Sequence, residues 1–396
     1  MILINKCVRR FRHQRILSIL KKNLCHDAGL KTLTTIIPKA FQYLRLVGGA
    51  VRDGLLGYHP TDFDIATIYT PEKIITFLNK ANIPYKTMGL AHGTVSVFMG
   101  GKTYDITTCR SDITTNGRWA QVAYTRDWKV DAMRRDFSCN ALYMTMDGTL
   151  IDYFKGVHDL QTGTIRFIGQ ASRRLCEDRL RLLRYFRFWV HVGKQPLDKS
   201  LIPLFQDCAS HLSILSGERV GYELFKILKA SVFQWQVLLP HMTQCHVWRG
   251  LFDCYSVDIP LALKARTPLA RVWAIIRDNH SAMKRLNLSR QQQNYLKILS
   301  HIYSLPQEKA FYIYDTFGLC ALRDWADLCC VPDHHLPSSL PLFPLSATSL
   351  MTHGLKGPHL GMILKKTRHW WQTHQGVPSH EACLSYALKH KTKTFL

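Results

Sequence analysis

Two aspartates, Asp62 and Asp64, stand at the start of a stretch in which polar and apolar residues alternate. Side chains at positions i and i+2 of a strand point to the same face, so the two carboxylates meet at one point. Without a cation they repel each other, and hard oxygen ligands so placed suit Mg²⁺. Upstream, Gly48 and Gly49 let main-chain N–H groups approach a phosphate, and Arg52 adds a charged contact. Taken alone, the aspartate pair is typical of a polar strand edge and the glycine pair of a simple turn. Because both lie within 17 residues, they favour a phosphate and metal site.

Two segments downstream add candidates. Asp105 lies in another strand-like stretch and is either a third carboxylate of the same site or an ordinary surface acid. Residues 131–140 carry paired arginines before an acid and an apolar residue. Such a pattern can bind a phosphate or orient a nucleotide, here through Arg135. The alternative for this segment is an exposed helix start with charge pairs.

A third segment, residues 174–187, is rich in arginine. If it is helical throughout, Asp178, Arg181, Arg184 and Arg187 recur every three residues and form a ridge opposite the apolar face. A solvated face with ion pairs would look similar. Three arginines for a single aspartate on this ridge supply more positive charge than ion pairing needs, which favours an anionic ligand.

The elements that must position these residues divide the chain into a mixed half and a helical half. Residues 44–47 predict a strand, 50–56 a helix that ends at Gly57, and 71–80 a helix that begins at a proline. Residues 94–99 and 104–108 predict strands joined by a Gly-Gly hairpin, and 141–146 a further strand. From residue 171 onward helical spacing prevails. We therefore predict an α+β fold, with a mixed-sheet head at 31–150, a helical neck at 151–235 and a helical body and tail at 236–396.

Composition narrows the class of protein. The 396 residues include 52 Lys+Arg against 28 Asp+Glu, a net charge of +24, which predicts attraction to a polyanion. No apolar run approaches the roughly 18–20 residues that span a bilayer, so an integral membrane protein is not expected. The 12 cysteines are scattered without zinc-ligand spacing, as in a reduced, intracellular protein.

The N-terminal segment, residues 1–30, allows two interpretations. Residues 1–26 carry seven Lys/Arg and no acid, as organelle transit peptides do. Apolar residues also recur there at helical spacing, so the segment is equally a first, basic helix of the fold. We favour the helix and therefore a cytoplasmic location, with an organellar location as the alternative.

Taken together, the motifs resemble the class II (bacterial-type) tRNA nucleotidyltransferase/poly(A) polymerase family. The matching segments follow one another in the family's order: LVGGAVRDGLLGYHPTDFDIAT (46–67), HGTV (92–95), YDITTCR (104–110), DAMRRDFSCNAL (131–142), RLCEDRLRLLRYFRF (174–188), LSGERVGYELFKIL (215–228) and FPLSATSLMTHGLKGPHLGMIL (343–364). One departure is Ser138-Cys139, where the family often has Thr-Ile. The resemblance is dense over 44–230 and weak over 240–340.

This resemblance implies that a tRNA 3′-hydroxyl attacks the α-phosphate of CTP or ATP and that pyrophosphate leaves. Asp62 and Asp64 would hold Mg²⁺, with Asp105 as a third catalytic carboxylate. The nucleotide would be bound by the remaining candidates: Gly48, Gly49, Arg52, Arg135, Asp178, Arg181, Arg184 and Arg187. Residues 111–124 would form a mobile loop that helps to switch nucleotide choice.

The sequence favours CCA addition to tRNA over two rivals. A poly(A) polymerase would share the same head and add only A. An inactive RNA-binding relative would not need the Asp62/Asp64 pair. The expected partners are the tRNA 3′ end, CTP and ATP, without a membrane. The RNA would be bound by the helical body and tail at 236–396, and the sequence does not identify protein partners.

Overall fold

The computed structural model describes residues 27–60, 62–116, 119–254, 256–277, 279–332, 336 and 341–391. The chain divides into two compact units, Met1–Leu215 and Ser216–Leu396. The four-part division predicted from the sequence has other boundaries and stays a prediction. The expected N-terminal basic helix lies almost wholly outside the described residues.

Within the described part of the first unit, a seven-stranded sheet has the order β3-β4-β5-β2-β1-β8-β9. Strands β2 and β5 pair in parallel, and the other neighbours pair antiparallel. The hairpin β6–β7 is separate from this sheet. The strands are β1 Leu44–Val47, β2 Asp62–Thr67, β3 Tyr85–Lys86, β4 Thr94–Met99, β5 Lys102–Thr108, β6 Arg110–Asn116, β7 Trp119–Tyr124, β8 Leu142–Thr145 and β9 Leu150–Asp152.

Helices of the first unit flank the sheet and then follow it along the chain. They are α1 Ala28–Ile36, α2 Ala40–Tyr43, α3 Gly49–Leu55, α4 Pro71–Lys80, α5 Trp128–Met133, α6 Gly156–Thr162, α7 Ala171–Glu177, α8 Arg181–Val192 and α9 Ile202–Ser210. Helix α4 begins with Pro71 at its first turn, as expected, because a proline there sacrifices no helical hydrogen bond. Gly100 and Gly101 both have positive φ and turn β4 into β5, which confirms the predicted hairpin.

The second unit is helical in its described residues. Its helices are α10 Gly217–Ile227, α11 Val232–Gln244, α12 Val247–Phe252, α13 Ile259–Lys264, α14 Pro268–Ile276, α15 His280–Arg285, α16 Arg290–Tyr303, α17 Ala310–Cys329, α18 Ala347–Met351, α19 Gly357–Thr373 and α20 His380–Lys391. Arg271, 1% exposed, stacks over the Trp235 ring at 4.9 Å. It also donates to the main-chain carbonyls of Ala265, Leu228 and Ala230.

The predicted α+β class, a mixed sheet followed by a helical remainder, is confirmed. The helix expected over residues 174–187 is wrong at one point. Asp178 has extended backbone angles (φ −153°, ψ 107°) and separates α7 from α8. Residues 111–124 belong to a β-hairpin in their described part, and Gly117 and Arg118 lie outside it. Across the described ranges, no helix is both long and apolar enough to cross a membrane.

Candidate active site

The two aspartates of β2 lie on the accessible face of the sheet. Asp62 and Asp64 are exposed, whereas Phe63 and Ile65, 3% and 0% exposed, point into the core. The alternation predicted from the sequence is therefore present. Asp105 stands directly across from Asp64 in the parallel β2–β5 register. The Ser96 hydroxyl donates to the Asp105 carboxylate at 2.5 Å.

Negatively and positively charged side chains both lie close to Asp64. Desolvation by the surrounding protein raises the pKa of the Asp64 carboxyl, and the negative charges of Asp105 and Asp62 raise it further. Arg135 and Arg52 act in the opposite direction on the same pKa. Solvent still reaches the Asp64 side chain. Asp62, Asp64 and Asp105 thus bring three negative charges close together, and a bound cation would relieve their repulsion.

Gly48 lies beside a carboxylate and an arginine of the site. Its φ of +66° favours glycine, and a side chain there would be strained. A Cβ at this position would lie 3.6 Å from Arg135 Nη1 and 3.7 Å from Asp64 Oδ2. Gly49 follows at the first position of α3, where a Cβ would lie 3.8 Å from Arg52 Nη2. Both predicted glycines therefore border the arginines predicted to bind the nucleotide.

Arg135 is held by a buried acid that the sequence did not single out. Asp131, 1% exposed, accepts from Arg135 Nη2 at 3.2 Å, Arg134 Nε at 2.9 Å, the Tyr143 hydroxyl at 2.6 Å and the Arg110 main-chain N–H at 3.2 Å. The Asp131 carboxylate thus lies beneath the arginine pair as its common acceptor. The alternative for this segment was an exposed helix start with charge pairs. The charge pairs are present, but their shared acid is buried. Their signal was the i, i+3 and i, i+4 spacing from Asp131 to the two arginines.

Arg52 is almost fully buried, at 8% exposure. Its Nε and Nη2 donate to the Asp53 carboxylate at 2.8 and 2.9 Å, and its Nη1 donates to Asn140 Oδ1 at 2.6 Å. His191 Nε2 lies 2.7 Å from Asp53 Oδ1. The hydrogen bond from His191 and the charge of Arg52 lower the pKa of Asp53, although desolvation acts the other way. This network fixes the direction of the Arg52 guanidinium.

A second buried acid connects the head to helix α8. Asp136, 7% exposed, accepts from Arg184 Nε at 2.6 Å and from Asn140 Nδ2 at 2.9 Å. Burial alone would raise the pKa of Asp136, but the Arg184 charge and these hydrogen bonds lower it to about 2. Asn140 therefore links Arg52 to Asp136, the partner of Arg184, and so connects two predicted nucleotide-binding residues that are far apart in sequence.

Asp178 and Arg181 lie where α7 meets α8. The Asp178 carboxylate accepts from the Leu180 main-chain N–H at 3.1 Å, so it caps the turn that leads into α8 and does not extend an arginine ridge. Arg181 donates to Glu177 at 2.6 Å and to the main-chain carbonyls of Arg174 and Arg134 at 2.9 and 3.3 Å. Glu177, which the sequence did not single out, holds Arg181 as Asp131 holds Arg135. Its signal was again local, because Arg174 precedes Glu177 by three residues and Arg181 follows it by four.

The site residues thus fall into three groups in space. Asp62, Asp64, Asp105, Gly48, Arg52 and Arg135 surround one point on the sheet. Arg184 and Arg187 lie with Arg52 near the ring of Phe188. Asp178 and Arg181 lie at the α7–α8 junction, which the Arg181–Arg134 hydrogen bond ties to the head.

A metal ion fits the first group, to which Asp62 and Asp64 contribute oxygen ligands from one strand face. Mg²⁺ commonly takes one or two carboxylates and completes its shell with water and phosphate oxygens. Among the described residues, no three His, Cys, Asp or Glu side chains form a ready-made metal cluster. The donor set therefore suits an ion that is completed by its substrate.

Comparison with known proteins agrees with this geometry. Residues 44–166 match the model of the poly A polymerase head domain. The chain is 32% identical to the human CCA tRNA nucleotidyltransferase 1, mitochondrial, over 91% of this chain and 90% of that protein. It is also 32% identical to a CCA-adding enzyme of Oceanobacillus iheyensis, over 72% of this chain and 71% of that one.

Solved structures share the fold. The Bacillus stearothermophilus CCA-adding enzyme in complex with CTP matches with a TM-score of 0.69 at 22% identity, over 92% of this chain and 97% of that one. The Thermotoga maritima CCA-adding enzyme complexed with tRNA_CCA matches with a TM-score of 0.66 at 22% identity, over 94% and 98%. With the identity to the human protein extending over nine tenths of both sequences, the chain belongs to the class II CCA-adding enzyme and poly(A) polymerase family of nucleotidyltransferases.

Proposed function

We propose that this protein adds C, C and A to the 3′ end of tRNA, using CTP and ATP and releasing pyrophosphate. The observation that carries the proposal is the accessible Asp62/Asp64 pair beside Gly48 and Arg135, in a chain 32% identical to a named CCA tRNA nucleotidyltransferase. In this reaction the terminal 3′-hydroxyl oxygen forms a bond to the α-phosphorus. The bond from the α-phosphorus to the bridging oxygen breaks, and the hydroxyl proton is lost.

Asp62 and Asp64 would hold Mg²⁺ at the reacting phosphate. The ion would neutralise charge that develops on the phosphate oxygens and lower the pKa of the attacking hydroxyl. The raised pKa of Asp64 supports a cation here, because a positive charge removes the cost of placing carboxylates together. Asp105, held by Ser96 on the neighbouring strand, would contribute negative charge at the edge of the same site.

Four arginines would bind and orient the nucleotide. Arg135 lies beside Gly48 and Arg52 lies beside Gly49, two residues without a side chain that could keep a phosphate away. Arg52, Arg184 and Arg187 supply further guanidinium groups, which suit phosphate oxygens because their planar donors match the oxygen geometry. The acids that pair with Arg135, Arg52 and Arg184 keep these three in place before the nucleotide arrives. Little ordering then remains to be done on binding.

Asp178 and Arg181 would read the base. Cytosine and adenine both present an amino group beside a ring nitrogen, so a carboxylate can accept from the first while a guanidinium donates to the second. Uracil and guanine present a carbonyl beside an N–H and would be mismatched with this pair. Arg181 uses three of its five N–H donors on Glu177 and two carbonyls, which leaves donors for a base.

The first experiment supplies CTP alone to a tRNA that lacks its CCA end. The proposal predicts the addition of two C residues and then a stop, followed by one A when ATP is supplied. A poly(A) polymerase would ignore CTP and extend the RNA with many A residues, and an inactive relative would add nothing in the presence of Mg²⁺.

Two sets of variants test the assigned residues. Asp62→Ala should abolish transfer while tRNA binding persists, and full activity in this variant would place the metal site elsewhere. The double variant Asp178→Ala/Arg181→Ala should let UTP and GTP compete with CTP and ATP. Unchanged nucleotide choice would contradict the base-reading role. Asp127→Ala, which alters an exposed helix cap in the same unit, is the matched control for both.

We also propose an organellar location. The human and mouse relatives are named as mitochondrial, and residues 1–26 are basic without an acid. Sequencing the N-terminus of the mature protein would reveal cleavage of this segment. An intact Met1 in a cytosolic fraction would instead support the cytoplasmic location.

A further inference from the structure

Three of the arginines assigned to the nucleotide meet at one aromatic ring. The guanidinium carbons of Arg187, Arg52 and Arg184 lie 4.3, 4.8 and 5.3 Å from the ring centroid of Phe188. A cation within about 6 Å of a ring centroid is attracted by the negative face of the ring. Arg52 belongs to α3, whereas the other two arginines and Phe188 belong to α8. The ring therefore contacts charged groups that distant parts of the sequence supply.

The ring itself is fixed in the core of the first unit. Phe188 is 4% exposed and packs edge-on against Phe137, with ring centroids 5.5 Å apart and planes at 71°. Phe137 is fully buried. Because its neighbours confine it, the Phe188 ring provides a stationary surface on which long, flexible arginine side chains can settle.

The three guanidinium groups are all positively charged and repel one another at this spacing, so other interactions must offset the repulsion. Asp53 and Asp136 pair with Arg52 and Arg184, respectively. Each of these two ion pairs holds one guanidinium group against its own acid. The Phe188 ring adds an attraction that all three guanidinium groups share. It is worth most here because the ring is shielded from water.

We propose that Phe188 is a positioning residue that holds Arg52, Arg184 and Arg187 as one preformed site for the phosphate groups of the incoming nucleotide. The inference rests on the nucleotidyl transfer proposed above and assigns Phe188 no contact with the reacting atoms. A guanidinium that is loose in the free protein must be ordered on binding, which weakens affinity by roughly two- to tenfold per side chain. CTP and ATP carry the same triphosphate, so both should be affected equally.

The test compares Phe188 with Phe186, a phenylalanine of the same helix that is 1% exposed and packs against Tyr185 and Phe205. Phe188→Leu should raise the KM and the Kd for both CTP and ATP by roughly tenfold, leaving kcat within about twofold, because ordering is lost and chemistry is not. Nucleotide choice should not change. Phe188→Tyr, which keeps the ring, should restore the affinity. Phe186→Leu should lower the Tm without this change in KM.

Substitution with fluorinated phenylalanines changes the Kd for ATP only if the electron density of the ring matters, because the packing stays nearly the same. Each added fluorine withdraws electron density from the ring face while the shape stays nearly constant, so a cation–ring attraction weakens in steps. At position 188 the Kd for ATP should rise with each fluorine, and at position 186 it should stay level. This series also decides the matter if Phe188→Leu does not fold.

Equal effects at the two positions, or a Kd that does not follow the number of fluorines, would overturn the proposal. A rise confined to one of the two nucleotides would do the same. Direct measurement of ATP binding keeps this result separate from the transfer assay. If the unaltered protein adds no nucleotide to tRNA, the proposed function fails, while the binding series still tests Phe188.

Discussion

Asp131→Asn is the change whose cost the structure defines most sharply. The Asp131 carboxylate is 1% exposed and accepts from both arginines of the 134–135 pair, from Tyr143 and from the Arg110 N–H. Desolvation alone would raise the pKa of Asp131, but the charges of Arg135 and Arg134 and the Tyr143 hydrogen bond lower it to about 2. Asparagine keeps the shape and one acceptor oxygen and removes the charge, so the change is mainly electrostatic.

The magnitude follows from this pKa. A carboxyl whose pKa falls from 3.8 to about 2 on folding contributes about 2 kcal/mol to the free energy of unfolding at neutral pH. Seen from the arginines, the same loss leaves Arg134 and Arg135 beside a neutral amide that keeps one acceptor oxygen of two, and removing one partner of a buried pair costs about 3–5 kcal/mol. We therefore expect a destabilisation of about 3 kcal/mol at pH 7.

Hydrogen exchange of the β8 amides under native conditions measures this cost in the first unit alone. Tyr143, one of the Asp131 donors, lies on that strand. The control is Asp127→Asn at the exposed N-terminal cap of the same helix, α5, where asparagine caps as well as aspartate. The control should change the exchange free energy by less than about 0.5 kcal/mol.

The dependence on pH provides a second check. Because folding lowers the pKa of Asp131, its contribution is complete above pH 4 and is lost as the pH falls through about 2. The difference between the unaltered protein and Asp131→Asn should therefore shrink over this range. Equal costs for Asp131→Asn and Asp127→Asn, or a difference that does not change with acid, would refute the reasoning.

Four other predictions concern packing and charge elsewhere. Gly361→Ala, in the interior of α19 where a Cβ meets no atom within 4 Å, should stabilise the protein by about 0.5–1 kcal/mol. Gly29→Ala, by contrast, should lower the Tm, because its Cβ would lie 2.3 Å from the Tyr104 ring. Arg271→Leu should cost about 3 kcal/mol or more in urea unfolding, since three buried carbonyls lose their donor; a cost below about 1 kcal/mol would contradict that role. Finally, with a net charge of +24, tRNA affinity should fall steeply between 50 and 200 mM salt in a filter-binding titration, and a flat response would leave the surplus charge unexplained.

The sequence predicted best what depends on near neighbours. The alternation that exposes Asp62 and Asp64, the proline that starts α4 and the glycine hairpin between β4 and β5 all follow from preferences acting over a few residues. The same reasoning failed at Asp178, where helical spacing continues through a residue whose backbone is extended. Periodicity shows which face a side chain takes if the helix continues, but it does not show that the helix continues.

The sequence by itself therefore determined the fold class, the family motifs and the residue types that the chemistry needs. Only the tertiary structure decided which of them share one place. Arg52 meets Asn140 across 88 residues and Arg184 meets Asp136 across 48, and Phe188 lies against arginines from two separate helices. The physical reason is that local preferences fix backbone angles over one or two turns. The partner of a buried charge, in contrast, is set by the path of the whole chain, which must supply an acceptor wherever a guanidinium leaves water.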